Sequence, residues 1–353
     1  MAEFSIAIIP GDGIGREVTP PAFAIARKAA EALGASLRSI SYDWGSDYYR
    51  QHGRMMPADA LDTLRPCQAI LLGAVGHPEV PDNVTLNGLL LPIRRVFDQF
   101  ANVRPAVLFR GVESPLKGFG PGDIDMIVVR ENTEGEYAQA GGFVHHQHPN
   151  EVAVQTSVFT RHGTERIIRY AFDLARRRNK KRRVASITKS NAQGFSMVLW
   201  DRIFAEVAAE FPDIKTESLL VDAAAMNFVR RPGTFDVVVA SNLFGDILSD
   251  LSAIIAGSIG LAASANIDPT RRFPSMFEPV HGSAPDIAGK GIANPMATIF
   301  SAAMMLDHLG LGEATRRMEA AVQQVLAEGR LRTPDLGGSS STSEVVQAVS
   351  DLL

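Results

Sequence analysis

The stretch FSIAIIPGDGIG, residues 4–15, carries the signals that decide the fold class. Its apolar run, residues 4–9, predicts a buried strand, and the glycines after it predict a tight turn into a helix that continues to about Ala32. Short apolar runs and helical patterns go on alternating along most of the chain. This alternation predicts an α/β fold with a largely parallel sheet. Because Pro20 and Pro21 fall inside the first helical pattern, we expect a kink there or a helix that restarts at Pro20.

The remaining predicted elements follow the same two periodicities. Further buried strands are predicted at residues 69–73, 126–129, 184–188, 218–221 and 237–240. Further helices are predicted at residues 161–177, 192–210, 244–256, 295–309 and 313–328.

Length and composition restrict the class of protein. A chain of 353 residues exceeds the size at which one hydrophobic core usually stops growing, so two domains are expected. A hydrophobic content of 46% with 21% charged residues is typical of a soluble globular enzyme. The net charge of −4 provides no basic field for nucleic acid or for an anionic membrane. The single cysteine, Cys67, and the lack of a signal-peptide pattern favour the cytoplasm.

The glycines at residues 11, 13 and 15 suggest a dinucleotide-binding turn, but their spacing is wrong. The Rossmann fingerprint is G-x-G-x-x-G with an acidic residue about 20 positions further on. Here the third glycine comes one position early, and Asp43 follows about 30 residues later. A glycine-rich turn from a strand into a helix is therefore the better interpretation.

A second glycine-rich stretch, EPVHGSAPDIAGKGIANP at residues 278–295, predicts a long loop before a helix that begins near Pro295. Loops of this length without secondary structure are usually functional. Small residues would let a flat ring approach the backbone, and Asp286 could accept hydrogen bonds from ribose hydroxyls. An acidic residue there would repel a 2′-phosphate, which favours NAD over NADP. A purely structural loop is the alternative.

Two carboxylates stand four residues apart in SNLFGDILSDL, residues 241–251. In a helix this spacing places Asp246 and Asp250 on one face, where like charges destabilise the helix unless a cation lies between them. Carboxylate oxygens are the ligands that Mg²⁺ and Mn²⁺ favour, and Asp222 offers a third. Two solvated aspartates are the alternative, although the neighbouring residues are apolar.

Three arginines lie at the ends of predicted elements rather than in charge runs. Arg94, Arg104 and Arg130 could clamp a dicarboxylate, because guanidinium groups bind carboxylates in bidentate fashion. Three internal salt bridges are the alternative. Tyr137 and Lys189 follow two of the predicted strands, and a lysine near arginines and a metal would be a suitable general base.

As a set, RENTEGEY, TKSNA, SNLFGDILSDL and the residue 278–295 loop closely resemble the β-decarboxylating dehydrogenases, which include isocitrate and isopropylmalate dehydrogenases. The resemblance runs from IPGDGIGREV near the start to TPDLGGSSSTSEV near the end. Within the family, YDWGSDYY, HGRMMPAD, GAVGHPEVPDNVTL, FDQFANVRP, GPGDID and ERIIRYAFDLA are most similar to the tartrate and D-malate enzymes.

The resemblance implies a non-Rossmann, two-domain α/β subunit of the isocitrate/isopropylmalate dehydrogenase type that forms a homodimer with shared active sites. Residues 1–100 and 257–353 would form the NAD-binding large domain. Residues 101–256 would form the small domain with the dimer interface, and the substrate and metal would lie in the cleft. NAD would contact the GDGIG turn and the loop through His281, Gly282, Ser283, Ala284, Asp286 and Asn294.

The resemblance also implies residue roles. Arg94, Arg104, Arg130 and Leu90 would contact the hydroxy-dicarboxylate substrate. Asp246 and Asp250, with the partner subunit's Asp222, would bind Mn²⁺ or Mg²⁺, and potassium is an additional candidate ion. The partner subunit's Lys189 would remove the hydroxyl proton and Tyr137 would protonate the product carbon.

The implied activity is NAD-dependent oxidation, with decarboxylation, of D-malate to pyruvate or of tartrate to oxaloglycolate. Residues 85–93 precede Arg94 and would surround the substituent on C3 of the substrate. Leu90 and Leu91 leave 3-isopropylmalate open as an alternative substrate, whereas retention of Arg94 favours D-malate over tartrate. A non-enzymatic alternative is a silent regulatory subunit, which the intact set of candidate catalytic residues disfavours.

Overall fold

The structure is a computed structural model that describes residues 2–353, which contain twelve strands and twelve α-helices. The strands are β1 Ala2–Gly11, β2 Ala35–Ser41, β3 Ala69–Ala74, β4 Ala101–Val107, β5 Asp125–Glu131, β6 Gly135–Val144, β7 Val152–Val158, β8 Arg183–Thr188, β9 Lys215–Leu220, β10 Val237–Ala240, β11 Ala263–Ile267 and β12 Ser275–Pro279. The helices are α1 Gly15–Glu31, α2 Ser46–His52, α3 Ala60–Leu64, α4 Asp82–Thr85, α5 Leu91–Val96, α6 Arg161–Arg178, α7 Ser196–Ala208, α8 Val221–Arg230, α9 Asn242–Ile255, α10 Met296–His308, α11 Gly312–Glu328 and α12 Thr342–Asp351.

The alternation of strands and helices predicted from the sequence is confirmed, and every predicted element overlaps an observed one. The sequence leaves two alternatives for the first helix, a kink at the prolines or a restart at Pro20. The helix does not restart at Pro20, because α1 is a single helix that contains both prolines. Its buried face, which includes Val18, Ala22 and Ala26, packs on β3 and α10. This packing compensates for the backbone hydrogen bonds that two prolines remove.

The larger of two compact units comprises residues 2–99, 103–124 and 252–353. Its strands lie in the order β2-β1-β3-β12-β11-β4. β1 is parallel to β2 and β3, and β12 is parallel to β3 but antiparallel to β11. The carboxyl ends of β1, β3 and β12 therefore meet at one edge of the sheet, and their amino ends meet at the other.

The smaller unit comprises residues 100–102 and 125–251. Its strands β5, β10, β8 and β9 lie in this order and are parallel throughout. Strands β6 and β7 form a separate antiparallel pair, and β7 is exposed along its whole length. Neither strand of this pair is predicted from the sequence, because its residues show no buried apolar run, and β2, β4, β11 and β12 are likewise observed without having been predicted.

The boundaries of the units differ in detail from the predicted domains. Residues 103–124 and 252–256 belong to the larger unit in the structure, whereas the sequence analysis placed them in the small domain. Among the described residues, none of the helices combines the length and the apolar character that crossing a lipid bilayer requires.

Candidate active site

The smaller unit gathers three predicted site residues into one polar cluster. Arg130, the penultimate residue of β5, is 1% exposed. Its Nε and Nη2 donate to Oδ1 of Asn242 at 3.0 and 2.7 Å, and its Nη1 pairs with Asp246 on α9. Oη of Tyr137, near the start of β6, donates to Oδ2 of the same aspartate at 2.7 Å. The guanidinium carbon lies 5.1 Å from the centroid of the tyrosine ring, within the range of a cation–π contact.

A glycine on α9 lets the arginine lie against this helix. A Cβ atom at Gly245 would stand 2.6 Å from Cβ and 2.8 Å from Cγ of Arg130. Asn242, three residues before Gly245, also donates through Nδ2 to the carbonyl oxygen of Glu134 at 3.0 Å. The close approach of helix and strand is therefore a property of the FGD sequence at residues 244–246.

The RENTEGEY turn is stabilised by the carboxylate of Glu131, which is buried. It accepts hydrogen bonds from the backbone N–H groups of Thr133 and Glu134. Burial raises the pKa of Glu131, and the hydrogen bonds from these two residues oppose that effect. The turn leads directly into β6 and so fixes the position of Tyr137, the third residue of that strand.

Lys189 and Asp222 form a second pair in the smaller unit. Lys189 follows β8, Asp222 lies in the first turn of α8, and Nζ donates to Oδ1 at 2.6 Å. The lysine side chain is 29% exposed and that of the aspartate 58%. The hydrogen bond from Lys189 lowers the pKa of Asp222, so the carboxylate is ionised at neutral pH. The two residues that the resemblance assigned to the partner subunit are thus adjacent to each other.

In the larger unit, Arg94 on α5 is 3% exposed, and its Nη2 donates to Oε1 of Glu278 at 2.6 Å. The same oxygen accepts from Nδ2 of Asn266 at 2.8 Å. Nε of Arg94 is buried without a hydrogen-bond partner among the described residues, which is a costly arrangement unless an anion binds there. Arg104 lies in β4 and is 8% exposed. Leu90 ends a π-helical turn and is buried in a hydrophobic cluster with Trp44, Met55, Leu89 and Ile93.

The two stretches that the resemblance assigned to NAD are in direct contact. The N–H of Ile14 donates to the carbonyl oxygen of Ser283 at 2.9 Å. Further along the loop, the N–H groups of Gly289 and Gly291 donate to the two carboxylate oxygens of Glu17 on α1, the second at 3.0 Å. The loop is therefore attached to the start of α1 at two places, through Ser283 to Ile14 and through Gly289 and Gly291 to Glu17.

Asp12 fixes the GDGIG turn, which precedes α1. Its carboxylate is 2% exposed and accepts hydrogen bonds from the N–H and hydroxyl of Ser46, at 2.8 and 2.7 Å, and from the N–H of Gly76 at 2.9 Å. The interpretation of GDGIG as a structural turn agrees with these contacts. The aspartate joins the carboxyl ends of β1 and β3 to the start of α2.

A cavity of about 370 Å³ lies beside the loop, a volume in the range of small-molecule sites. It is lined by Asp12, Gly13, Arg16, Asp47, Gly76, His77, Pro285, Ala288 and Gly289. Asp286 is exposed nearby in the loop, and Asn294 donates to Asp335 at 3.0 Å. Gly282 and Ala284 flank Ser283, and the φ angle of Ala284 is +42°.

His281 supports the assignment of a ligand to this loop. Burial lowers the pKa of its ring, which is therefore neutral at pH 7. Nδ1 lies 3.0 Å from the carbonyl oxygen of Gly282, and Nε2 is buried without a hydrogen-bond partner among residues 2–353. A buried orphan nitrogen in a loop beside a cavity fits a site that receives a polar cofactor.

The candidate metal ligands have the correct donor chemistry but do not form a complete set within one chain. Asp246 and Asp250 lie one turn apart on α9, with Asp250 exposed. Asp222 is paired with Lys189 instead. Among the described residues, no group of three His, Cys, Asp or Glu side chains is arranged to hold a metal ion.

Sequence reasoning missed four residues that organise these sites. Asn242 and Glu278 hold the buried arginines, and Glu17 and Asp12 hold the glycine-rich stretches. All four lie inside motifs that the sequence analysis quoted, but their partners are far away in the sequence. The motifs display these polar residue types, but no local pattern in them indicates the distant partners.

Comparisons with known proteins identify the family of the chain. Residues 5–349 match the family model described as isocitrate/isopropylmalate dehydrogenase. The chain is 53% identical to a probable tartrate dehydrogenase/decarboxylase from Agrobacterium vitis, over 99% of this chain and 97% of that one. It is 50% identical to a decarboxylating D-malate dehydrogenase from Escherichia coli K12, over 100% and 99% of the two chains. The crystal structure of isocitrate dehydrogenase from Methylococcus capsulatus superposes with a TM-score of 0.87 at 40% identity, covering 100% and 99%.

The fold and the site define an oxidoreductase of the decarboxylating dehydrogenase class. The chain belongs to the isocitrate/isopropylmalate dehydrogenase family. The family expected from the sequence motifs is thereby confirmed, and so is the similarity to its tartrate and D-malate members.

Replacing Gly245 with alanine should displace Arg130, because the new methyl group would overlap its side chain. Overpacking of this kind usually costs about 1–3 kcal/mol of unfolding free energy. Urea unfolding measures this loss, and Gly194→Ala in the same unit is the control because a Cβ atom at Gly194 would meet no atom within 4 Å. Wild-type stability of the Gly245→Ala protein would contradict the packing described here.

Proposed function

We propose that the protein oxidises D-malate or tartrate with NAD and a divalent cation and releases carbon dioxide from the oxidised product. The observation that carries this proposal is the cluster of Arg130, Tyr137 and Asp246 in a chain about half identical to tartrate and D-malate dehydrogenases along its full length. The cluster offers a cation for a substrate carboxylate, a phenol that can donate a proton and a carboxylate for a metal.

We assign NAD to the loop of residues 278–295. His281, Gly282, Ser283 and Ala284 would contact its adenosine half, and Asn294 would close the site. Asp286 is exposed, so it is available to accept hydrogen bonds from both ribose hydroxyls and would repel a 2′-phosphate. When bound, NAD supplies the acceptor for the hydride that leaves the carbon bearing the hydroxyl.

We assign Mn²⁺ or Mg²⁺ to Asp246 and Asp250 together with Asp222 of the partner subunit, and potassium as an additional ion. When bound, the cation would draw electron density from the substrate oxygen and so favour loss of its proton. Lys189 of the partner subunit, as the neutral amine, would accept that proton, and Asp222 of the same subunit would hold the resulting ammonium group through the 2.6 Å hydrogen bond. Tyr137 would donate a proton to the product carbon.

The arginines would hold the two carboxylates of the substrate. The orphan Nε of Arg94 supports this role, because a carboxylate would satisfy a buried donor. Leu90 is only 8% exposed within its hydrophobic cluster, so it offers little surface to an alkyl substituent. We therefore favour a substrate with hydrogen or hydroxyl on C3, and D-malate over tartrate because Arg94 is present.

We propose that two copies of the chain assemble into a dimer with shared sites, in the cytoplasm. The smaller unit exposes Phe143 at 62%, Val154 at 53%, Met226 at 58% and Ile247 at 57%. Apolar groups of this size on an isolated two-stranded sheet and on neighbouring helices indicate a surface that packs against protein. A second copy would also supply Lys189 and Asp222 to the Asp246 cluster.

The decisive test compares D-malate, L-tartrate, meso-tartrate and 3-isopropylmalate by kcat/KM for NADH formation with Mn²⁺ and K⁺. The expected result is a preference for D-malate or tartrate, with activity abolished by a chelator and restored by Mn²⁺. A preference for 3-isopropylmalate would give Leu90 and Leu91 the role of alkyl recognition. No turnover of any substrate with NAD or NADP would favour a regulatory subunit.

Replacing Lys189 with methionine should abolish oxidation and leave NAD binding unchanged. A general base contributes about 10²- to 10⁴-fold to the rate, so kcat should fall by at least that much. Lys215→Met, which removes an exposed lysine from the neighbouring strand β9, is the control. Turnover of Lys189→Met at the wild-type rate would remove this lysine from the mechanism.

Replacing Glu17 with alanine should raise the KM for NAD about tenfold or more, because each hydrogen bond to a charged group contributes about 1.5–3 kcal/mol. The variant loses the contacts that hold Gly289 and Gly291, so kcat should change little. Glu31→Ala on the same helix removes an exposed carboxylate and is the matched control. Equal KM values for both variants would show that the loop does not need this attachment.

A further inference from the structure

A cavity of about 300 Å³ in the larger unit has no role in the proposed reaction. It lies where β1 begins and just before β3 and β12 begin, beside the end of α10. Its lining consists of Phe4, Arg65, Pro66, Cys67, Gln68, Arg271, Arg272, Phe273, Pro274, His308 and Leu309. Three arginines and no acidic residue contribute to this lining.

The arginines differ in how far their charge is neutralised. Arg272 is 3.0 Å from a carboxylate oxygen of Asp98, and Arg65 is 3.7 Å from one of Asp62. The guanidinium of Arg271 has no hydrogen-bond or ion-pair partner among residues 2–353. Arg271 is therefore the arginine of this lining whose guanidinium group is not already paired with a carboxylate.

The phenyl ring of Phe273 and the imidazole of His308 shape the interior. The guanidinium carbon of Arg65 stands 5.1 Å from the Phe273 centroid, and that of Arg272 stands 5.8 Å from it. These contacts hold two positive charges around one ring. Burial and the charge of Arg271 lower the pKa of His308 to about 4, so the imidazole is neutral and can donate one N–H.

A buried aspartate fixes the turn that carries Arg271. Asp268 is 0% exposed, and its carboxylate accepts hydrogen bonds from the N–H groups of Thr270, Arg272 and Phe273, at 2.9, 3.0 and 3.2 Å. The turn holds Arg271 at φ +55°, a conformation that is uncommon for a residue with a side chain. The free arginine is thus presented by a rigid turn rather than by a flexible loop.

The cavity and the cofactor loop lie at opposite edges of the same sheet. The cavity borders the amino ends of β1, β3 and β12, and the GDGIG turn, Gly76 and His281 follow their carboxyl ends. The five residue steps of β3 alone correspond to roughly 17 Å. A ligand in this cavity would therefore not overlap NAD or the substrate.

We propose that this cavity binds an oxyanion, either a polycarboxylate or a phosphate compound, at a site separate from the active site. Arg271 provides the unpaired bidentate donor, Arg65 and Arg272 provide the surrounding charge, and His308 provides a neutral donor. The volume is that of a small metabolite rather than of a macromolecule. This proposal does not depend on the proposed reaction.

Isothermal titration of the full-length protein with inorganic phosphate and with citrate tests the site. Saturable binding of at least one anion is expected, and Arg271→Ala should weaken it about tenfold, the effect of losing one charged hydrogen bond. Arg271→Lys should bind with intermediate affinity, because it retains the charge without the bidentate fork. Binding of phosphate alone, or of citrate alone, identifies which source of oxyanion the site accepts.

The matched control is Arg38→Ala, which removes an exposed arginine from β2. Its anion affinity should equal that of the wild type, and NAD affinity should be unchanged in all variants. Equal anion binding by the wild-type, Arg271→Ala and Arg38→Ala proteins would overturn the proposal, because the anions would then bind elsewhere. So would the absence of saturable binding to the wild-type protein.

Discussion

The buried guanidinium of Arg130 is the constraint on which the candidate site depends. A charge that is 1% exposed is costly unless every donor has a partner, and removing one member of a buried ion pair typically costs about 3–5 kcal/mol. Asn242 and Asp246 supply those partners, and Gly245 lets their helix approach closely enough. The same aspartate accepts from Tyr137, so one arginine fixes the relative positions of a candidate metal ligand and a candidate proton donor.

This arrangement has a chemical consequence. Asp246 contacts Arg130 with one carboxylate oxygen and Tyr137 with the other, so both partners orient its carboxylate. A dicarboxylate that bound to Arg130 would replace the carboxylate of Asp246 as the partner of the guanidinium group. The charges at the site are therefore ready before any ligand enters, and such preorganised charges are the main electrostatic contribution to catalysis.

Some of the elements and the types of the site residues could be predicted from the sequence, whereas the contacts between distant residues could not. Periodicity predicted six of the twelve strands and six of the twelve α-helices, including the four longest helices, because long runs with one buried face give a clear pattern. It missed β6 and β7, which are largely exposed, and also β2, β4, β11 and β12 and the helices α2 to α5, α8 and α12. The types of the site residues were also recognisable in local motifs. Their pairing was not, since Arg94 and Glu278 are 184 positions apart and Arg130 and Asp246 are 116 apart. Only the packing of distant elements decides which carboxylate neutralises which arginine.

Strand direction explains why the larger unit can carry two separate sites. Parallel strands bring all their carboxyl ends to one edge, and there the segments that follow β1, β3 and β12 form the glycine-rich loop of residues 278–295 and its supports. The amino ends meet at the other edge by the same rule, and there the chain places Arg65 before β3 and Arg271 before β12. Glu17 and Asp12 accept hydrogen bonds from backbone N–H groups at the first edge. Asp268 serves the same purpose at the second edge by accepting from three backbone N–H groups and from the hydroxyl of Thr270, so the guanidinium group of Arg271 stays available to an anion.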